Sequence, residues 1–417
     1  MVDSPTDIAT DVEQELPASW TRRTFSALWV RNFRLFFVGQ LISNSGNWLT
    51  MIALTLLVLH RTGSGVAVGL LAACQFGPML LLSAWAGVIA DRSNKRHLLY
   101  VTQSLEMAQS ATLAVLAFLP DVPLPVFFAV AAAGGCMLAF DNPGRRSFVN
   151  EMVPAELVSN AVTLYSANVN LSRLIGPTLA AALVATVGYG WSFTVDAVSY
   201  IAVLISLWLM RDNELRSAVR TPRGRGQIRA GLRYLLGVPE LWISFLIVMI
   251  VGILSYNFSV TLPILVEKAM HGSDADFSLV YAAFSAGAVV GTLVIARRTR
   301  VSLGTIIVST AVFGVSMFAL AAVPTIALTY PVAAVVGGTS VAYMTGTTAH
   351  AQLTSEQHMI GRVLALQTVL LIGTTPLGGP LLGLLADSLG GRVPVIVGGV
   401  GALAAAGIAA VLARRAG

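Results

Sequence analysis

The chain has 417 residues, of which 56% are hydrophobic and 11% are charged, and its mean hydropathy is +0.77. Soluble domains carry about 25% charged residues, so this composition excludes an ordinary soluble protein and indicates an integral membrane protein. A net charge of +6 is compatible with binding to nucleic acid. The basic residues are, however, distributed as in a membrane protein, so we expect no nucleic-acid partner.

Residues 1–32 are expected to form a cytoplasmic N-terminal segment. Residues 1–19 are polar and acidic and lack the basic region followed by an apolar stretch that marks a cleaved signal peptide. From Arg22 to Arg34, apolar side chains such as Trp29 alternate with arginines, a pattern typical of a short helix on an anionic membrane surface. A basic linker fits the same pattern equally well.

Twelve apolar runs follow, and a helix needs roughly 20 such residues to cross a hydrocarbon core about 30 Å thick. We predict an all-α membrane protein with twelve transmembrane helices in two six-helix bundles, residues 33–210 and 240–412, with a cytoplasmic linker at 211–239 and a tail at 413–417. The predicted spans are 33–59, 66–90, 98–119, 124–143, 157–187, 191–210, 240–266, 277–296, 302–323, 326–349, 363–386 and 393–412.

The basic residues lie mainly in alternate loops. If the N-terminus is cytoplasmic, the predicted outer loops hold only Arg61, Lys268 and Arg392. Since lysine and arginine are retained in cytoplasmic loops, we expect both termini to be cytoplasmic and the protein to lie in the plasma membrane. Within the linker, residues 227–236 are expected to form an amphipathic surface helix.

Cysteine and histidine are sparse. The two cysteines, Cys74 and Cys136, fall inside predicted spans, so we expect no disulfide framework. The five histidines fall at helix ends or in loops, and no metal-ligand spacing is visible. We expect neither a bound metal nor a cofactor.

The loop after the second span places an acid at the membrane border before several bases, Gly87-Val-Ile-Ala-Asp91-Arg92-Ser-Asn-Lys95-Arg96. Such a carboxylate can pair with arginines or cap a neighbouring helix; a weak surface ion pair is the alternative. The pattern resembles the major facilitator signature Gly-x-Leu-Ala-Asp-Arg-x-Gly-Arg-Lys, with Ile89 for Leu and Asn94 for the second Gly. The resemblance implies that Asp91 helps to hold an outward-facing state closed on the inside.

The fourth span ends in Phe140-Asp141-Asn142-Pro143-Gly144-Arg145-Arg146, and a cytoplasmic loop is expected from Ser147 to Pro154. This stretch resembles the proline-arginine segment of major facilitator proteins similar to enterobactin, macrolide and multidrug exporters. We group Asp141, Arg145 and Arg146 with the Asp91 motif as a predicted inner gate.

A two-part glycine pattern occurs once in each half: Gly134-Gly135 precedes Gly176-Pro177, and Gly337-Gly338 precedes Gly379-Pro380. Repeats of six helices lie parallel in the membrane, with the substrate site between them. Gly176-Pro177 also resembles the helix-five signature of major facilitator antiporters. Because proline removes one backbone hydrogen bond and glycine permits close helix contact, we expect helix bends at both Gly-Pro pairs, with packing alone as an equal alternative.

Charged residues inside predicted spans cost several kcal/mol each unless they are paired or hydrated. Glu106, Arg173 and Asp196 are candidates for coupling transport to protons, because a carboxylate whose surroundings change can bind and release a proton. Structural pairing is the equal alternative, and the different depths of Arg173 and Asp196 argue against assuming that these two residues pair.

Polar and aromatic residues on several spans are candidates for lining a substrate cavity, and hydrogen bonds between helices are the alternative role for each. They are Gln40, Asn44, Asn47, Tyr256, Asn257, Tyr343 and Gln367.

The two lysines, Lys95 and Lys268, do not follow glycine, which excludes a phosphate-binding loop. Common hydrolase motifs are also missing, so we predict no enzyme. The resemblance implies a monomeric secondary active transporter in the lipid bilayer, a proton-coupled efflux pump for amphipathic small molecules such as drugs or siderophore-like metabolites. Uptake or lipid translocation by the same fold is the first alternative; a channel or a membrane-embedded enzyme is a weaker one.

Overall fold

The computed structural model describes residues 24–216, 227–296 and 301–416, apart from a few side chains within them, including that of Asp91. These ranges are almost entirely helical and contain no strand, so the all-α prediction is confirmed. Of the predicted interfacial helix, the described part consists of one 3-10 turn, Ser26–Trp29; residues 1–23 lie outside the described residues.

The helices carry the numbers of the predicted spans that they match, and the seventh is divided into α7a and α7b. They are α1 (Arg31–Thr62), α2 (Gly65–Arg92), α3 (Lys95–Phe118), α4 (Leu124–Met152), α5 (Val158–Val187), α6 (Tyr189–Trp208), α7a (Pro239–Leu254), α7b (Phe258–Ile264), α8 (Asp274–Ala296), α9 (Leu303–Ala322), α10 (Ile326–Thr354), α11 (Ile360–Leu389) and α12 (Val393–Ala416). The linker contains a helix, Gln227–Gly237, where the sequence predicts an amphipathic one.

Among the described residues, eleven helical segments are long and apolar enough to cross a membrane. The segment missing from this set is α3, which has 24 residues but carries the polar side chains Gln103, Glu106 and Gln109. It packs against α4 and α6. The membrane-protein class is therefore confirmed, while the count of twelve spans stays a prediction.

The end of α4 differs from the prediction. The cytoplasmic loop expected from Ser147 is wrong, because the helix continues through Pro143 to Met152. Arg145, Phe148, Val149 and Met152 are all buried, and their spacing is that of one helical face. The packing of this face favours helix beyond the proline, which removes only one backbone hydrogen bond.

The seventh span is predicted as one helix but is interrupted between Leu254 and Phe258. The side-chain amide of Asn257 donates to the carbonyl oxygens of Gly252 and Ile253, both at 2.9 Å. These carbonyls lie in the last turn of α7a, where backbone partners run out. Asn257, predicted to line a cavity, thus completes the hydrogen bonding of a helix end.

The helices form two groups, α1 to α6 and α7a to α12, which meet mainly where α2 packs on α11 and α5 packs on α8. We call the end of the molecule where α1, α3 and α5 begin the basic end, because arginines concentrate there. The opposite end, which carries Glu267, Asp274 and Asp387, is the acidic end.

Candidate functional site

A buried guanidinium lies at the centre of a polar cluster inside the first helix group. Arg145 on α4 is 5% exposed. Its Nε donates to Asp141 Oδ2, and its Nη1 donates to Gln40 Oε1 at 2.9 Å and to Asn44 Oδ1. Its Nη2 lies 3.6 Å from Glu106 Oε2 on α3. We call these five residues the Arg145 cluster.

A second layer of donors holds the carboxylates of the Arg145 cluster. Asp141 Oδ1 accepts from Thr102 Oγ1 at 2.7 Å and from Gln103 Nε2 at 2.8 Å. Gln103 Nε2 also lies 3.2 Å from Glu106 Oε2, while Glu106 Oε1 is buried without a hydrogen-bond partner. Because two carboxylates face one guanidinium, the ionised cluster carries one excess negative charge, which a single proton would neutralise.

The cluster joins residues that the sequence assigns to different roles. Asp141 and Arg145 are predicted for the inner gate, Glu106 for coupling, and Gln40 and Asn44 for the substrate cavity. The structure places all five in one site within the first helix group, with Asp141 fully buried. The arginine next in sequence, Arg146, is exposed. Two adjacent arginines of α4 therefore differ in burial, because they lie on different faces of the helix.

Asp196 and Asn47 lie near this site but bind other partners. Asp196 Oδ2 on α6 accepts a hydrogen bond from Ser110 Oγ at 2.7 Å. Asn47 Nδ2 donates to Tyr200 Oη at 3.2 Å. Both are helix-to-helix contacts within the first group, which is the alternative role considered for these positions.

Arg173 on α5 lies where the two helix groups meet. Its guanidinium carbon is 4.9 Å from the ring centre of Trp48, and that ring is 6.3 Å from the ring of Tyr281 on α8. The Nε of Arg173 is buried without a hydrogen-bond partner. A planar cation on an aromatic face with an unused donor is suited to binding a ligand group, and Asp196 is not its partner.

The other predicted cavity residues lie in the second helix group. Tyr343 is buried and stacks on Phe313 with 6.2 Å between ring centres, and its hydroxyl has no partner. Tyr256 packs edge-on against Phe258 at 5.4 Å. Gln367 donates to two threonine hydroxyls of α10 at 3.3 Å. Two of these three side chains therefore pack on aromatic rings.

At the basic end, the described partners of the Asp91 motif belong to the first helix group or the segment that follows it. Lys95 Nζ lies 3.2 Å from Glu151, and Arg96 binds the carbonyl of Leu207 at 2.9 Å and the carboxylate of Asp212. Gly87 and Arg92 lie in the last two turns of α2. The side chain of Asp91 lies outside the described residues, so its role stays a prediction.

At the acidic end, the carboxylate of Asp387 joins the two helix groups. It accepts from Ser64 Oγ and the Gly65 N–H, both at 2.7 Å, and from the Val66 N–H at 3.0 Å, and Lys268 Nζ lies 2.5 Å away. A carboxylate that caps the positive end of α2 is stabilising. We call this set the Asp387 cap.

Asp387 is not among the predicted site residues, although the sequence contains a signal for it. The run Gly383-Leu-Leu-Ala-Asp387 near the end of α11 repeats the spacing of Gly87-Val-Ile-Ala-Asp91 near the end of α2. Asp387 lies at the start of α2, the helix on which α11 packs. A search for repeats of the Asp91 motif would have found this residue.

The two Gly-Pro pairs occupy different contacts. A Cβ on Gly176 would lie 2.7 Å from the carbonyl oxygen of Ser45, so this pair packs α5 on α1 within one helix group. A Cβ on Gly379 would lie 3.1 Å from the carbonyl oxygen of Gly69 on α2. The second Gly-Pro pair therefore lies between the two helix groups. Both helices are continuous through Pro177 and Pro380.

Replacing Gly69 with alanine should lower the melting temperature, because the new Cβ would lie 2.7 Å from the Cα of Pro380. Overpacking of this kind costs about 1–3 kcal/mol. Gly407→Ala in the middle of α12 is the matched control, since its Cβ would meet no atom within 4 Å and alanine favours helix. Equal melting temperatures for the two variants in detergent would show that α2 and α11 do not approach so closely.

The sequence matches a family model and is similar to several transporters. A family model described as transmembrane secretion effector, of the major facilitator type, matches residues 22–416. The chain is 26% identical to the multidrug efflux pump Tap of Mycolicibacterium fortuitum, over 85% of this chain and 89% of that protein. It is 20% identical to macrolide efflux protein A of Streptococcus pyogenes, over 87% and 91%.

The chain is also 27% identical to the staphyloferrin A transporter of Staphylococcus aureus, over 63% of this chain and 66% of that protein. Among solved structures, it is similar to a bacterial homologue of the human lysosomal transporter Spinster, with a TM-score of 0.69, 14% identity and coverage of 92% and 95%. A POT family transporter gives a TM-score of 0.74 at 13% identity, with coverage of 92% and 96%.

The apolar helices of the fold and the comparisons both indicate a membrane transporter. The Asp91 motif and the proline-arginine segment are present in the chain, and the family match extends over nearly all of it. The protein is therefore a multi-pass membrane transporter, not an enzyme, and it belongs to the transmembrane secretion effector family of the major facilitator superfamily.

Proposed function

We propose that this protein is a proton-coupled exporter of amphipathic small molecules and that the Arg145 cluster binds the coupling proton. The observation that carries the proposal is the pairing of two buried carboxylates, Asp141 and Glu106, with one guanidinium. A proton bound there removes the excess negative charge, so protonation changes the electrostatic energy of the first helix group. Export, not uptake, is supported by the efflux proteins among the relatives.

The same proposal assigns a transport state to the structure. The Asp387 cap joins the helix groups at the acidic end, and the basic end is rich in arginine, which favours the cytoplasmic side. The structure then corresponds to a protein closed toward the outside. Rocking of the two groups about the α2–α11 and α5–α8 contacts would open the acidic end and release the substrate outside.

The substrate class is proposed from the relatives and from Arg173. The named relatives are a staphyloferrin A transporter, a multidrug efflux pump and a macrolide efflux protein. Arg173 and Trp48 between the helix groups offer a cation and an aromatic face side by side. A ligand with an acceptor group next to an apolar surface would bind both.

The function is tested by reconstituting the protein in liposomes with an imposed pH gradient and a panel of macrolides, dyes and siderophores. We expect uphill substrate movement coupled to proton flow in the opposite direction, and loss of this coupling in Glu106→Gln. Substrate accumulation that ignores the pH gradient would contradict proton coupling. Transport toward the arginine-rich side would contradict export.

We expect Arg173→Ala to lower the transport rate at least about tenfold, because one ligand hydrogen bond to a charged group contributes about 1.5–3 kcal/mol. The melting temperature should fall only modestly, because Arg173 Nε has no hydrogen-bond partner in the protein and the contact with Trp48 contributes about 0.5–2 kcal/mol. Arg173→Lys keeps the charge but loses the planar contact with Trp48, so an intermediate rate is expected. A wild-type rate in Arg173→Ala would exclude Arg173 from substrate binding.

A further inference from the structure

Four side chains from both helix groups converge at the acidic end, apart from the Asp387 cap. His60 lies in the last turn of α1, and Tyr189 begins α6. Glu267 lies in the π-helical turn Leu265–Ala269, and Asp274 begins α8. One ligand atom from each of His60, Glu267 and Asp274 can be chosen so that all three lie within 4.8 Å of one another. Residues distant in sequence supply this set, so no spacing rule applied to the chain could reveal it.

Two distances from one imidazole nitrogen define the geometry. His60 Nε2 is 3.2 Å from Asp274 Oδ1 and 3.7 Å from Glu267 Oε2. Donor atoms around a tetrahedral zinc ion, at bond lengths of about 2.1 Å, lie about 3.4 Å apart. The two distances from His60 Nε2 are close to this spacing.

Tyr189 fixes which imidazole nitrogen faces the carboxylates. Its hydroxyl donates to Asp274 Oδ2 at 2.7 Å, so it accepts from His60 Nδ1, which is 2.8 Å away. That bond places a proton on Nδ1 and leaves Nε2 directed at the two carboxylates. A histidine whose second nitrogen is held by a hydrogen bond in this way is the usual arrangement of a metal ligand.

The carboxylates lack other partners. Glu267 Oε1 and Asp274 Oδ1 are shielded from solvent and accept no hydrogen bond. The basic residues next in sequence to His60 and Glu267 are engaged elsewhere: Lys268 binds Asp387 at 2.5 Å, and Arg61 donates to the carbonyl of Val122 at 3.0 Å. Two acids and an imidazole lone pair at this separation are stabilised when a cation or a proton lies between them.

We propose that His60, Glu267 and Asp274 bind a divalent transition-metal ion, with zinc as the best-suited class, at the acidic end. One imidazole and two carboxylates are a suitable ligand set for zinc, whereas magnesium and calcium prefer oxygen ligands alone. His60 is half exposed, with 53% of its side chain accessible, which leaves an entry path and room for a water as fourth ligand.

The ion would stabilise one conformation, because its ligands come from both helix groups. His60 belongs to the first group, and the two acids belong to the second. Opening of the acidic end would separate them and release the ion. A ligand that binds only one state shifts the population toward that state, so the metal would favour the state closed at the acidic end and inhibit turnover.

The binding test uses the purified full-length protein without transport substrate. Zinc chloride should raise its melting temperature by about 2–4 °C, as expected for a ligand at roughly 100 times its dissociation constant, and magnesium chloride should not. The shift should disappear in His60→Gln and in Glu267→Gln. His271→Asn is the matched control at the same end, because its φ of 55° is one that asparagine tolerates.

The outcomes separate the alternatives. An equal zinc shift in wild type and in both variants would place the ion elsewhere and overturn the proposal. No zinc shift in wild type, with direct calorimetry also showing no binding, would overturn it too. Inhibition of transport by zinc is a further expectation that rests on the proposed function; binding without inhibition would overturn the conformational part alone.

Discussion

Arg145→Met is expected to destabilise the protein by about 3–5 kcal/mol, the cost of removing one partner from a buried ion pair. Asp141 and Glu106 would then face each other in the protein interior without a cation. Methionine preserves much of the side-chain volume, so the loss reports charge and hydrogen bonding more than packing. Reversible unfolding by a denaturing detergent gives the difference in the free energy of unfolding.

Two further variants make this prediction specific. Arg146→Met alters the exposed neighbour and should change stability by less than about 0.5 kcal/mol. The triple variant Arg145→Met, Asp141→Asn, Glu106→Gln carries no unpaired charge and should recover most of the lost stability. It should nevertheless fail to couple transport to protons. Equal stability of Arg145→Met and Arg146→Met would mean that the cluster is not ionised as described.

Asp387→Ala is expected to shift the protein away from the state closed at the acidic end. The Asp387 cap joins α11 to the start of α2 through three hydrogen bonds, while Lys268 of the same helix group as α11 pairs with the carboxylate. Hydrogen bonds to charged groups contribute about 1.5–3 kcal/mol each, and water replaces part of this when the contact opens. A net loss of about 1.5–3 kcal/mol corresponds to roughly a 10- to 100-fold change in population.

Spin labels at Leu119 and Leu389, both exposed at the acidic end in opposite helix groups, would measure this shift as longer distances in the variant. Asp276→Ala is the matched control. Its carboxylate binds Ser273 and Tyr330, both in the second helix group, so the distances should stay as in wild type. Unchanged distances in Asp387→Ala would show that the Asp387 cap does not hold the acidic end closed.

The Arg145 cluster shows where sequence reasoning stopped. Glu106, Asp141 and Arg145 each stand out in the sequence as charges near or inside apolar runs, because burial of a charge is costly. The sequence does not reveal that these three charges meet, since α3 and α4 can place them on facing or on opposite sides. The expected loop after Pro143 also hid the helical spacing that makes Arg145 buried and Arg146 exposed.

The sequence by itself determined the membrane class, the all-α fold, the family and the transporter function. Those properties depend on local quantities: hydropathy over about 20 residues, residue spacing and short motifs. Only the tertiary structure decided which charges meet, because contacts such as Ser64 with Asp387 or His60 with Asp274 join residues distant along the chain. Their distances depend on how helices pack and on small shifts in rotation, which no local pattern specifies.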